Sequence, residues 1–119
     1  MKNSILQQRS FDFSLQIINI CRNIAEKQKE YVLTKQLMKS GTSIGANIQE
    51  ASEAQSRKDF IAKMAISLKE TKETLYWLKL IRESKLETVL VMDASIDQCD
   101  QLKYLLIASI KTAKKNASE

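Results

Sequence analysis

Not one of the 119 residues is a proline, and Gly41 and Gly45 are the only glycines. Sheets closed by tight turns draw on both residue types, so a β-sandwich or a doubly wound sheet lacks its turn chemistry here. Lys, Glu, Gln, Ala, Leu and Ile are abundant, and most of them are good helix formers. The chain therefore reads as all-α, and its length suits one domain around one core.

Apolar spacing divides it into four helices. Residues 10–29 carry Phe13, Ile17, Ile20, Cys21 and Ile24 on one face, with Phe11, Ile18 and Ala25 as a flanking strip. Met1 to Arg9 reads as an arm or a frayed turn, and Ser4 with Gln7 offers a capping box that would start the helix earlier. The second helix spans 32–55. The third spans 57–83 behind the start signal Ser56-Arg57-Lys58-Asp59, and the fourth runs over 88–115 with Met92, Ile96, Cys99, Leu102, Leu106 and Ile110 inward. Ser84 with Glu87 forms a second capping signal ahead of it. Short connections make neighbours antiparallel, so the expectation is an up-down-up-down four-helix bundle.

The stretch from Ser40 to Phe60 is the most patterned. Leu37, Gly41, Ile44, Ile48 and Ala51 form an apolar line, flanked by a polar one of Ser40, Ser43, Asn47 and Glu50. The two glycines, four apart, either kink the helix or let another helix approach closely. The unbroken apolar phase from Leu37 to Ala51 favours close packing. Glu50, Glu70 and Glu73, with Ser43 and Asn47, suggest either a hydrogen-bonded polar layer that fixes register or partner choice, or ion pairs with lysines.

The third helix is apolar on two sides. Phe60, Ile61, Met64, Leu68, Leu75 and Leu78 make one stripe; Ala62, Ile66, Trp77, Leu80 and Ile81, with Glu70 and Glu73 among them, make the other. A peripheral helix of a lone bundle needs only one. Ile66, Glu70, Glu73, Trp77, Leu80 and Ile81 are accordingly expected at a subunit interface.

Chemistry is mostly excluded. There is no histidine, which removes His-based acid–base work and the Glu-x-x-His di-iron site. No glycine-rich phosphate loop is present, and Cys21 and Cys99 alone make no zinc site. Asp93, Asp97 and Asp100 share a helix face that a hard cation can use, although such a face is ordinarily solvated. The expectation is a non-enzyme without metal or cofactor. The N-terminus is too polar for a secretory core and no apolar run spans a bilayer, so the expected setting is the cytoplasm, with reduced thiols. A net charge of +5 suits either a solvated lysine surface or a nucleic-acid partner. Arg57, Lys58, Lys63, Lys69, Lys72, Lys79, Lys111, Lys114 and Lys115 are the phosphate-contact candidates, Lys69, Lys72 and Lys79 flanking Tyr76.

Several residue runs carry a family likeness: Gln36 before Leu37-Met38, then Ser43-Ile44, Asn47-Ile48, Glu50 and Lys58-Asp59-Phe60. Ala65, Leu68, Glu70 and Glu73, the run Tyr76-Trp77-Leu78 and a closing Ile110-Lys111-Thr112 complete it. With these the sequence closely resembles the bacterial four-helix bundle proteins encoded by intervening sequences of 23S rRNA genes, over nearly its whole length and least clearly from Lys85 to Asp97. The resemblance implies an up-down bundle assembled as a homopentameric ring. It also implies kinship with the accessory subunit of diversity-generating retroelements, a basic pentamer that binds nucleic acid and reverse transcriptase. No catalytic motif comes with it. Two functions follow: a homo-oligomeric module binding RNA or DNA, or a protein-interaction scaffold whose charge only keeps it soluble.

Overall fold

The computed structural model describes residues 3–118, with side chains from 5 to 116, as four α-helices. They are α1 (Asn3–Gln28), α2 (Val32–Ser52), α3 (Arg57–Glu83) and α4 (Val89–Ser118). They pack into a rod of 52 × 20 × 20 Å, which matches a longest helix of about 45 Å at 1.5 Å per residue. α1 packs on α2, α2 on α3, α3 on α4, and α4 closes on α1 through the most open seam of the four. The diagonal pairs bring no two Cα atoms within 8 Å of each other. The result is an all-α bundle with one apolar core along its axis.

Each helix begins and ends for a local reason. Ser56 is extended, and its Oγ accepts the Asp59 amide at 3.0 Å, capping α3 as its sequence implies. α2 is capped from one residue further back than usual. The Glu30 carboxylate accepts the amides of Val32, Leu33 and Thr34 at 3.0–3.1 Å. Burial pushes the Glu30 carboxyl up, but the three amides outweigh it and hold it below its ordinary value.

Two helix ends and one cap differ from expectation, and α4 runs on to Ser118, three residues beyond 115. α1 starts at Asn3, not near Ser10, because Leu6 is buried in the core and Gln7 donates to Gln49 (3.0 Å) and Ser52 (3.2 Å) on α2. Gln7 is thus spent on another helix, and the Ser4 side chain of the supposed capping box lies outside the described residues. α2 stops at Ser52, three residues early. Ser84 belongs to the end of α3, donating to the Leu80 carbonyl, while Thr88 Oγ1 accepts the Val91 amide and caps α4.

The core is built by Phe13, Ile17 and Ile24 of α1, Leu37, Ile44 and Ile48 of α2, Met64, Leu78 and Ile81 of α3, and Met92, Leu102 and Leu106 of α4. Burial of each such side chain stabilises the fold by about 1.5–3 kcal/mol. Gly41 and Gly45 lie in unbroken helix. A Cβ on Gly41 would come within 2.9 Å of Ile17 Cγ2, and one on Gly45 within 3.3 Å of Ser10 Oγ. The glycines are there because α1 lies almost on the α2 backbone.

Candidate nucleic-acid interface

α3 carries most of the candidate residues, and its core face is unusually polar. Ser67, Thr71 and Thr74 are each fully buried, as is Ser40 of α2 opposite. Ser67 Oγ donates to the Ile44 carbonyl at 2.9 Å. Thr71 Oγ1 donates to the Ser67 carbonyl at 2.8 Å, and Thr74 Oγ1 to the Glu70 carbonyl at 2.7 Å. The hydroxyls of Thr74 and Ser40 share a hydrogen bond of 2.9 Å between the helices. Every buried hydroxyl needs such a partner, so this seam fixes how α3 sits on α2.

That seam replaces the polar layer expected from sequence. Ser43 donates to the Lys39 carbonyl (2.7 Å) and Asn47 to the Ser43 carbonyl (2.8 Å), both within α2. Glu50 takes the other expected course, an ion pair with Lys63 at 3.1 Å on the surface. Sequence reasoning missed Ser67, Thr71 and Thr74: they share a face with Met64 and Leu78, but a hydroxyl side chain reads as a surface residue until its partner on another helix is known.

The outer surface of α3 divides into two strips. Lys63, Glu70 and Trp77 recur every seven residues, and because Lys63 reaches Glu50, this strip borders α2. Ile66 is 44% exposed, Glu70, Trp77 and Leu80 are half-buried, and Trp77 donates its indole N–H to Glu73 at 3.1 Å. Ile81 is not on this surface. It is fully buried in the core, three residues on from Leu78 and seven on from Thr74 on the inward face, so the second apolar stripe is shorter than expected.

The other strip is basic. Lys58, Lys69, Lys72 and Lys79 are exposed along it with Tyr76, which is 60% exposed and meets Trp77 edge-on at 5.1 Å. None of the four lysines is in an ion pair among the described residues. Lys63 differs. Its hydrogen bond with Glu50, and then the charge of that carboxylate, push its pKa up, so its cation is already matched. Arg57 lies apart, in a 530 Å³ hollow with Phe60 and the small residues Ala108, Ser109, Thr112 and Ala113 of α4. Lys111, Lys114 and Lys115 are exposed on that same end of α4, where Lys114 already has an interaction within the chain. The nine cations thus form a strip along α3 and a group at one bundle end, with Lys63 spent internally.

The acidic face of α4 has partners within the chain. Asp93 pairs with Arg82 at 2.8 Å, Asp97 accepts from Gln101 at 3.0 Å, and Asp100 pairs with Lys103 at 3.4 Å. Cys21 and Cys99 are free and buried, their thiols pushed up to about 12, by burial first and then by Glu30 and Asp100 respectively. Among the described residues no group of three or more Cys, Asp or Glu is arranged to hold a metal, and no helix is long and apolar enough to cross a membrane.

Comparison with known proteins agrees with this architecture. No curated protein matches the chain. The crystal structure of a protein of unknown function from the S23 ribosomal protein family of Bacteroides thetaiotaomicron VPI-5482 superposes with a TM-score of 0.90. The two sequences are 42% identical, and the alignment covers 93% of this chain and 99% of that one. The 23S rRNA-intervening sequence protein family matches residues 2–108, and the chain belongs to that family.

Proposed function

We propose that the protein is a non-catalytic, single-domain bundle that assembles with copies of itself and binds RNA or DNA in the cytoplasm through the basic strip of α3. The observation that carries this is the run Lys58, Lys69, Lys72, Tyr76 and Lys79: four cations without a carboxylate partner among the described residues, interleaved with an exposed aromatic ring. Lysines at that spacing neutralise backbone phosphates whatever the base sequence, and a tyrosine face stacks on an unpaired base. The family name, with its 23S rRNA, makes RNA the first probe.

Antiparallel neighbours are supported by the register of the contacts. Ser10 meets Gly45, Ile17 meets Gly41, and Cys21 meets Thr34, so α2 numbers fall as α1 numbers rise. Ser67 with Ile44 and Thr74 with Ser40, then Thr71 with Cys99 and Arg82 with Asp93, repeat the pattern. Self-association is supported by apolar side chains left in water on two unlike surfaces: Ile5, Phe11 and Leu15 on α1, and Ile66 on α3. Unlike patches make head-to-tail contacts, which close as a ring; five subunits is the number the family resemblance implies. Against catalysis stand the absence of histidine and the buried, protonated thiols.

Fluorescence anisotropy with a labelled structured RNA tests the nucleic-acid contact. Log affinity should fall linearly with log salt, and Lys69→Glu, Lys72→Glu and Lys79→Glu should each weaken binding. Unchanged affinity in the triple variant would exclude the strip. A scaffold role is favoured instead by exposed Tyr31, Val32, Val89 and Leu90 at the loop end of the rod. Recovery of one specific protein after nuclease treatment, together with no RNA binding at low salt, would support that alternative.

A further inference from the structure

A furrow of 420 Å³ runs between α1 and α2, lined by Phe11, Ser14, Ile18, Thr42, Gly45 and Ala46 among others, none of them charged. In a chain where 28% of residues are charged, such a neutral tract is a poor nucleic-acid surface. Its floor is made of small residues, and Phe11 stands beside it 62% exposed. Between the same two helices, toward the other end, lies a separate 460 Å³ hollow lined by Ala25, Met38, Arg22, Lys35 and Lys39 among others. None of those three cations is ion-paired among the described residues.

The α2-bordering strip of α3 has the opposite make-up. Ile66 is 44% exposed and is followed one and two turns later by Glu70 and Glu73, neither of which has a cationic partner among the described residues. The spacing also corresponds. From Ile66 to Glu73 is seven positions, and from Ala46 in the furrow to Lys39 in the neighbouring hollow is also seven, which on a helix is about 10 Å.

We propose that the α1–α2 furrow receives the Ile66–Glu70–Glu73 strip of a second copy of the chain, Ile66 entering beside Phe11 and Ala46 while Glu73 comes level with Lys39. Glu70 lies about one turn before that pair and Lys35 about one turn beyond it. This rests on the self-association proposed above and goes beyond it by naming both halves of the contact. The two surfaces flank α2 on different sides of the rod. Each copy therefore gives one and accepts the other, and repetition turns the chain round toward closure instead of pairing it off. The basic strip of α3, on the side away from α2, stays in solvent on every subunit.

Charge reversal with rescue tests the contact, with subunit number read by native mass spectrometry and sedimentation, and helix content by circular dichroism. E70K/E73K and K35E/K39E should each fall apart to single, helical chains, with dissociation constants raised about 100-fold or more. The quadruple variant, which restores opposite charges, should regain the wild-type subunit number. Assembly that persists in both double variants, or a quadruple variant that stays helical but dissociated, overturns the contact while leaving self-association standing. A solitary wild-type chain overturns both. Intact assembly with RNA binding lost in K35E/K39E would assign the furrow to nucleic acid instead, and would equally overturn the proposal.

Discussion

Lys85 takes a left-handed conformation, φ 60°, at the end of α3. Its amide donates to the Arg82 carbonyl at 3.1 Å and the Leu86 amide to Ile81 at 3.4 Å, with Leu86 folded onto the core. This is the helix-ending motif that glycine usually serves, because a Cβ is strained there. Lys85→Gly should therefore stabilise the protein by about 0.5–1 kcal/mol, after the entropy of the freer unfolded chain is discounted. It would appear as a higher urea midpoint at unchanged slope. Glu30 makes the complementary case. Burial raises its carboxyl pKa, yet three amides bring the net value below the ordinary 4.5. Its capping stabilisation is thus present above about pH 4.5 and lost as pH falls through the lower folded value. Glu30→Gln should cost about 1 kcal/mol at neutral pH and flatten the acid limb of the stability profile; an unaltered acid limb would mean that the cap contributes nothing.

Between elements, two seams decide the architecture by opposite means. α1 and α2 meet by omission: the missing Cβ of Gly41 makes room for Ile17, whose β-branched side chain has little freedom to retreat. Gly41→Ala should be destabilising by about 1–3 kcal/mol in urea melts, even though alanine is the better helix former by roughly 1 kcal/mol. A more stable variant would show that the two helices can separate cheaply. α2 and α3 meet by hydrogen bonds. In a double-mutant cycle, Ser40→Ala and Thr74→Val should couple by about 0.5–1.5 kcal/mol, since each alone removes their shared hydrogen bond, Thr74 keeping its bond to the Glu70 carbonyl. The glycine seam was legible because the apolar phase runs straight through it. The hydroxyl seam was not, because serine and threonine read as surface residues until a neighbouring carbonyl or hydroxyl is known to face them.

At the scale of the whole molecule, charge is sorted along and around the rod. Because Lys63 is matched by Glu50, Lys63→Glu should weaken RNA binding less than Lys72→Glu does, and only the latter should reduce the salt slope by about one. Equal losses at both positions would mean that affinity follows net charge and not the α3 strip. The sequence by itself determined the class of fold and the core faces of α1, α2 and α4. Helix periodicity is a local property, and with no proline and two glycines nothing competes with it. It also carried the family motif. Only the tertiary structure decided that Ile81 is core, that Ser67, Thr71 and Thr74 are inside, and which lysines are left without a carboxylate. Those outcomes depend on what a neighbouring helix brings within reach, and helical spacing along one segment holds no information about its neighbour.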